Sequence, residues 1–600
     1  MKLPSRNLEA WATEHSGAVV LSLAATIFLL GILRPPSLMD DVDAAQAQIA
    51  RNMLDSGDWV SARLNGVSYL EKAPLPYWMM ALSFRTFGAS DWAARLPLAA
   101  ATILLCWVTA RIGRWAFGEP AGLYSGLVIS SCVGLFLFTR ILIPDSSLTL
   151  TIALGLWAFL RALDEEEAHP RIWASLFAAC LGAGLLFKGL IGMVIPLAAA
   201  FLYLTLTGQL FARPAWRRLR PFSGLILLLC IAAPWHILAT LRNPPYFDLT
   251  MKSEAGHYHG FFWFYFLNEH LFRFLNMRYP RDYNTVPRAY FWLFQLLWLF
   301  PWSVYFPALF GLSYRPADRA GRVRLLALCW IGFVMAFFSF STTQEYYSMP
   351  IYPALALLLG SAMVTSRSWL SAGTKLLAAM ATACAVGIGA VLWWVRAIPT
   401  PGDIASALTR NPEVYTLSLG HLVDLTLNSF AYLRLPLAVA GTAFTLGAVA
   451  LWRVKGPRAY LVTALMMAVF LQAARLALVV FNPFLSSEAL AQALISAPPG
   501  QLVVDDQYYT FSSVFFYAHR SALLLNGRVN NLEYGSNAPG APDVFLDDSG
   551  FRKLWHGARR CYLLVEGVNL DRFQRLVGAD RLHPLRESGG KYLLTNVPQN

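Results

Sequence analysis

Long apolar runs separated by short polar stretches set the pattern of this chain. A helix needs about 20 apolar residues to cross a hydrocarbon core. Runs of that kind lie near 18–34, 92–112, 120–139, 146–162, 171–187, 190–207, 221–240, 289–311, 325–341, 347–365, 372–395, 430–452 and 459–480. The pattern predicts an all-α polytopic membrane protein of about thirteen transmembrane helices over residues 1–483. The first run follows Lys2 and Arg6 and ends at Arg34-Pro35-Pro36 without a small-residue cleavage pattern. A retained signal-anchor helix is therefore expected. Pro74–Gly88 is apolar but short and contains Arg85, so it reads as an interfacial helix.

After about residue 484 the pattern changes. QLVVDD, SALLLNG, CYLLVEG and KYLLTNV read as short strands, alternating with helix-like Phe551–His556 and Leu570–Val577. Residues 484–600 are therefore expected to form a small soluble α/β domain. No Gly-rich phosphate loop is present in it, and no nucleotide cofactor is expected.

Composition agrees with the apolar pattern. The chain is 56% hydrophobic and 14% charged, where a soluble protein is about one quarter charged. The net charge of +13 comes from loops such as Arg111–Arg114, Arg213–Arg220, Arg315–Arg324 and Arg453–Arg458. Basic residues so placed set topology and give no reason to expect a nucleic-acid partner. With the N-terminus in the cytoplasm, all four loops fall on the cytoplasmic side of a thirteen-helix count. The outer loops are then 35–91, 140–147, 241–288 and 341–350, and the C-terminal domain lies outside, in the periplasm of a bacterium with an outer membrane. Seven cysteines without a C-x-x-C pair suggest neither a zinc ribbon nor a disulfide framework.

The unusual polar residues gather in those outer loops. MDDVDAAQAQIARNMLDSGDW (Met39–Trp59) carries Asp40, Asp41, Asp43, Asp55 and Asp58 directly after the first apolar run. Ala47, Ala50 and Leu54 share one face of a helix there, as do Ile49 and Met53, which suits a helix in the membrane interface. Asp41 and Asp43 could cap that helix, but three acids within four residues exceed what a cap needs, and a catalytic or metal role is favoured. In GVSYLEKAPLPYW, prolines fix an extended backbone that aims Tyr69 and Lys72, as a phosphate contact or as headgroup anchors. Asp145 and Lys188 sit at the ends of apolar helices, where ionisable residues are functional candidates. His257–Tyr283 is densely aromatic and holds His257, His259, Glu269, His270, Arg273, Arg278 and Arg281. Its His-x-His could bind a metal, and its arginines suit an anion. Tyr346 and Tyr347 stand at an outer helix mouth.

The order SGDW, LNGVSYLEKAPLPYW, RLPLAA, KGL, FFWFYFLNEHLFRF, YYSMPIYPALALLLG resembles the GT-C membrane glycosyltransferases of the protein O-mannosyltransferase superfamily, and within it the bacterial lipid A aminoarabinose transferases. The resemblance covers roughly the first 360 residues. It implies an inverting transferase of the bacterial inner membrane that moves a sugar from a polyprenyl (undecaprenyl) phosphate donor to a lipid, glycan or protein acceptor outside the cytoplasm. By the same resemblance Asp41, Asp43 and Asp145 are the catalytic acids, and Tyr69, Lys72, Lys188 and Tyr346 or Tyr347 bind the donor phosphate; Arg273, among the arginines that suit an anion, is expected to join them. A divalent metal ion, as in some relatives, falls near Glu71 and His257 or His259. Two departures stand out: DDVD replaces an adjacent Asp-Glu pair, and KAP replaces KPP. The competing class is a transporter or lipid flippase, but no internal repeat is present and the acids sit in loops.

Overall fold

The computed structural model describes residues 8–281, 285–365, 369–411 and 417–598. Asp282 and Tyr283, at the end of the aromatic stretch, lie outside them. Among the described residues nine helices are long and apolar enough to cross a membrane. A tenth span is the pair Arg288–Trp298 and Trp302–Gly311, bent by 100°. The break falls at Pro301, which offers no N–H to continue a helix. Ser16–Leu30 and Ile191–Leu206 are apolar but shorter. The run expected at 120–139 is divided at Cys132 into Glu119–Ser131 and Val133–Phe138. The thirteen expected runs are thus all helical, while nine or ten meet the length and apolarity of a full span. Leu75–Phe87 has 13 residues, too few to cross.

Two basic loops meet at one end of the bundle. Asp164 lies between Arg319 Nε, at 3.1 Å, and Arg322, at 3.7 Å. Arg218 Nε reaches the Ala162 carbonyl at 2.9 Å. The large apolar core of the bundle runs through the spans from Val20 to Leu471.

The C-terminal region builds a six-stranded sheet. Its strands follow the two-stranded hairpin β1 (Arg63–Leu64) and β2 (Val67–Ser68) in the chain: β3 (Gln501–Asp505), β4 (Leu523–Leu525), β5 (Phe545–Leu546), β6 (Cys561–Glu566), β7 (His583–Ser588) and β8 (Lys591–Thr595). The order is β5-β4-β3-β6-β8-β7. The first four are parallel, and β8 and β7 join antiparallel. β3, β4, β6 and β8 match the four apolar patches of the sequence. β5 has two residues and β7 alternates polar side chains, so neither gave a signal.

This region does not stand apart from the membrane domain. Leu38, Ala47, Ile49, Met53, Tyr77 and Phe84 of the first outer loop share one core with Leu490, Val504, Tyr508, Phe511 and Phe515. The helix Val42–Ser56 is therefore covered by protein on the face expected to meet lipid. Its supposed polar side is partly buried too: Gln46 accepts a hydrogen bond from the Tyr77 hydroxyl at 2.7 Å.

Candidate active site

The turn Asn65-Gly66 closes the hairpin with φ of 50° and 82°, the left-handed values a two-residue hairpin turn requires. The hairpin delivers Glu71 and Lys72 to the mouth of a cavity of about 350 Å³. Pro74 then starts the helix Leu75–Phe87 and fixes the exit. Lys72 donates to Glu71, and its Nζ lies 4.0 Å from Glu269. Burial pushes the Glu71 carboxyl up, but Lys72, Arg278 and Arg273 outweigh it and bring it down to about 2. Burial also works against the Lys72 ammonium, yet Glu71 and Glu269 hold its pKa above the usual lysine value.

Across the cavity the helices Asp145–Leu163 and Pro170–Lys188 pack side by side. Asp145 opens the first, where the positive helix end favours an acid, and Lys188 closes the second, where the negative end favours a cation. Lys188 Nζ meets Asp145 Oδ1 at 2.5 Å. Asp145 Oδ2 is buried and has no hydrogen-bond partner among the described residues. The rings of Tyr346 and Tyr347 lie 5.1 and 4.8 Å from the Lys188 ammonium, a cation–π seat.

The Lys-Gly pair has a steric cause. Gly189 stands at φ 70°, and a Cβ there would come within 2.1 Å of His270 Nε2. The open turn lets Leu190 N–H donate to His270 Nε2 at 3.1 Å. Nδ1 then carries the proton and donates to the Tyr265 carbonyl at 2.5 Å. Burial lowers the His270 pKa, so the ring is neutral at pH 7 and ties the Lys188 turn to the aromatic stretch.

That stretch forms a π-helix, Trp263–Phe272, a geometry that recurs at functional sites. It places Glu269 in an ion pair with Arg273, and Arg278 also binds Glu269. Arg278 is 0% exposed at its side chain and reaches Asn531 Oδ1 at 2.5 Å. The Asn531 amide in turn donates to Glu71. Lys72, Lys188 and Arg273 thus line the polar end of the cavity, each matched by an acid: Glu71, Asp145 and Glu269. Ile143, Leu148, Ile191, Ile195, Phe274 and Phe337 continue its wall as apolar surface.

The cavity brings together Asp145, Lys72, Lys188, Arg273, Tyr346 and Tyr347, with Glu71 beside them. It does not bring in the first-loop acids. Asp43 is 1% exposed and both its oxygens are engaged, by Met39 N–H at 3.0 Å, Leu142 N–H at 3.1 Å and Arg95 at 3.3 Å. Asp41 precedes the helix at φ 68° with its N–H on the Tyr509 carbonyl, and it does not line the cavity. Asp40, absent from the expected site, accepts from Ser513 and from Lys591, the latter at 2.7 Å, and latches the sheet region to the first loop. Tyr69 also stands back from the cavity: it is buried and donates to Glu71 at 2.9 Å.

Glu71, His257 and His259 do not fit a metal. The Glu71 carboxylate already accepts from Tyr69, Lys72 and Asn531. His259 Nδ1 pairs with Asp248 at 2.6 Å, and neither histidine lines the cavity. Among the described residues no group of three His, Cys, Asp or Glu side chains could hold an ion. Glu269, His270 and Asn531 are the site residues to which the sequence assigned no role, and Arg278, expected as an anion contact, is buried against Glu71 and Glu269. Their signal was the charge density of 257–283; Asn531 had none.

Residues 71–238 match the family model described as dolichyl-phosphate-mannose-protein mannosyltransferase. The chain is similar to the undecaprenyl phosphate-alpha-4-amino-4-deoxy-L-arabinose arabinosyl transferase of Pseudomonas aeruginosa (strain LESB58), 29% identical over 358 residues, 58% of this chain and 59% of that one. Enzyme 1 of that name from Pseudomonas fluorescens (strain Pf0-1) is 26% identical, over 69% and 68% of the two chains. The chain thus spans 59% of the length of the Pseudomonas aeruginosa relative. In three dimensions it is similar to the crystal structure of ArnT from Cupriavidus metallidurans bound to undecaprenyl phosphate, with a TM-score of 0.77, 22% identity and coverage of 97% and 99%. The apo form of that protein gives a TM-score of 0.75. The chain therefore has the GT-C fold, sheet region included, and is a multi-pass membrane protein.

Proposed function

We propose that the protein is an inverting glycosyltransferase that takes a sugar from an undecaprenyl phosphate donor at the outer face of the bacterial inner membrane. Lipid A is the favoured acceptor, as the resemblance to the lipid A aminoarabinose transferases implies. The N-terminus would then be cytoplasmic and the sheet region periplasmic, as the basic loops favour. The observation that carries this reading is the cavity itself. Its apolar wall suits a prenyl chain, and three cations stand at its polar end.

The cations are already matched by acids, so an arriving phosphate meets donors whose positions are fixed in advance. Lysine has three N–H donors and arginine five, so each can serve an acid and the phosphate together. Lys72 and Arg273 would take the charge that develops on the leaving phosphate. Lys188 holds Asp145 Oδ1 and thereby fixes Oδ2, the acid oxygen left to accept the acceptor's proton. Asp145 is accordingly the proposed base, and Asp41 and Asp43 are proposed to shape the first loop. Attack opposite the phosphate would invert the anomeric centre.

Reconstitution of the purified chain in proteoliposomes tests this. With an undecaprenyl phosphate-linked aminoarabinose donor and lipid A, the expected product is glycosylated lipid A with free undecaprenyl phosphate, seen by mass spectrometry. Movement of the donor across the bilayer without product would favour the flippase reading and reject this one.

A further inference from the structure

A second cavity, of about 470 Å³, lies between the helix Val42–Ser56, the β1–β2 hairpin and the C-terminal region. Its size is that of a small-molecule site, and its lining is unlike the first. Gln48 and Asn52 supply amides, Tyr508 and Phe515 supply rings, and Arg63 and Arg520 supply guanidinium groups. We propose that this cleft binds a phosphorylated saccharide, and that it seats the sugar end of the acceptor while the donor occupies the first cavity; that second part rests on the transferase reading.

Three observations carry it. The first is unmet polarity at buried positions. Gln48 is 6% exposed and Tyr508 0%, and neither Gln48 Oε1 nor the Tyr508 hydroxyl has a hydrogen-bond partner among the described residues. Buried polar atoms are normally paired, and a sugar hydroxyl can both accept from the phenol and donate to the amide oxygen.

The second is charge. The single acid of the lining, Asp55, is engaged by His519 at 3.0 Å and faces Arg51 at 3.8 Å. Arg63 and Arg520 have no acid within ion-pair distance among the described residues. Two guanidinium groups without acids select an anion that can take a bidentate contact, such as a phosphate. An uncharged sugar could accept their hydrogen bonds but would leave their charge unmatched.

The third is connection. A narrow crevice shares Met53 and Ser61 with this cleft and Lys72 with the donor cavity. The cleft and the donor cavity are therefore neighbours, separated by the side chains that line this crevice.

Glucosamine 1-phosphate is the probe, read by saturation-transfer NMR on the full chain in detergent, with glucosamine and inorganic phosphate as separate arms. Saturable binding of the sugar phosphate is expected, about tenfold tighter than either arm, the worth of one charge-assisted contact. Arg520→Ala should weaken it by about tenfold, with the melting temperature unchanged. Tyr508→Phe should weaken it less. Undecaprenyl phosphate should not compete. In the transfer assay, Arg520→Ala should raise the acceptor KM and leave the donor KM unchanged.

Absence of saturable binding, equal affinity in both variants, equal binding of inorganic phosphate alone, or competition by undecaprenyl phosphate would each overturn the site. If the sugar phosphate binds and Arg520→Ala weakens it, but no glycosyl transfer occurs, the cleft stands and the transferase reading falls. If transfer proceeds with the acceptor KM unmoved by Arg520→Ala, the acceptor role falls and the transferase reading stands.

Discussion

Two of this molecule's buried acid–cation pairs are alike in composition. Asp43 pairs with Arg95 and Asp145 with Lys188, and the acids are 1% and 2% exposed. They differ in what is left over. Around Asp43 both oxygens are engaged, and Arg95 also binds the carbonyls of Pro36 and Ser37 at 2.7 Å each. That pair joins the start of the first loop to Leu142 and to the helix Asp91–Phe117. Around Asp145 one oxygen has no partner among the described residues, and the pair faces a cavity. Burial alone does not separate a structural acid from a reactive one; the unfilled bonding capacity beside a space does.

The widest split between the pairs should come from removing one oxygen's basicity from each. Asp145→Asn keeps the shape and removes the proton acceptor. Transfer should fall by about 10²–10⁴, the range of general-base catalysis, with folded protein in the membrane and donor binding retained. Asp43→Asn should do the reverse. Breaking a buried ion pair costs about 3–5 kcal/mol, so the yield and melting temperature should drop while activity per folded molecule stays within a few-fold. A well-folded but inactive Asp43→Asn enzyme would return the catalytic role to the first loop.

Lys72 and Asn531 sharpen the comparison from the cation side. Lys72→Ala removes a donor aimed at the proposed leaving phosphate and should cost about 10²–10³ in kcat. Asn531 touches no reacting atom. It positions Glu71 and Arg278, so Asn531→Ala should cost about tenfold, near one charge-assisted hydrogen bond. The loss should appear in kcat with the acceptor KM unchanged. A loss in acceptor KM instead would place Asn531 in acceptor binding.

The sequence made much of this legible and hid the rest for physical reasons. Apolar runs mark helices because lipid demands them, and all thirteen appear. KGL and YLEKAP were readable because a glycine at positive φ and flanking prolines leave a local signature. The acid cluster misled. Asp40, Asp41 and Asp43 are close in sequence, but their partners are Lys591, the Tyr509 carbonyl at the backbone of Asp41, and Arg95. Contacts 52 to 551 residues apart carry no local pattern. The shared core of the first loop and the C-terminal region was hidden for the same reason, since amphipathic spacing cannot distinguish a lipid surface from a protein one. A chain cut at residue 484 would expose that core, so truncation would test folding before function.

The smallest expected effect is one of pH. Glu71 has a folded pKa of about 2 against an ordinary value of 4.5. A group depressed on folding contributes stability that is present in full above its unfolded pKa and is lost as pH falls through the folded one. The Glu71 contribution should therefore hold above about pH 4.5 and fade between there and pH 2. The network around it is nearly closed, with Lys72, Arg273 and Arg278 facing two carboxylates, so protonating one acid leaves excess cationic charge in a buried place. Asp43 moves the other way: burial raises its pKa despite Arg95, so protonation favours the folded state and its contribution to stability grows as pH falls. Melting curves of the wild type, Glu71→Gln and Asp43→Asn across pH 2.5–6 should then show two contributions of opposite slope. Glu71→Gln should remove the loss at low pH, and Asp43→Asn, which removes the opposing gain, should make it steeper. A low-pH loss that neither substitution changes would mean that neither acid controls the acid stability of this region.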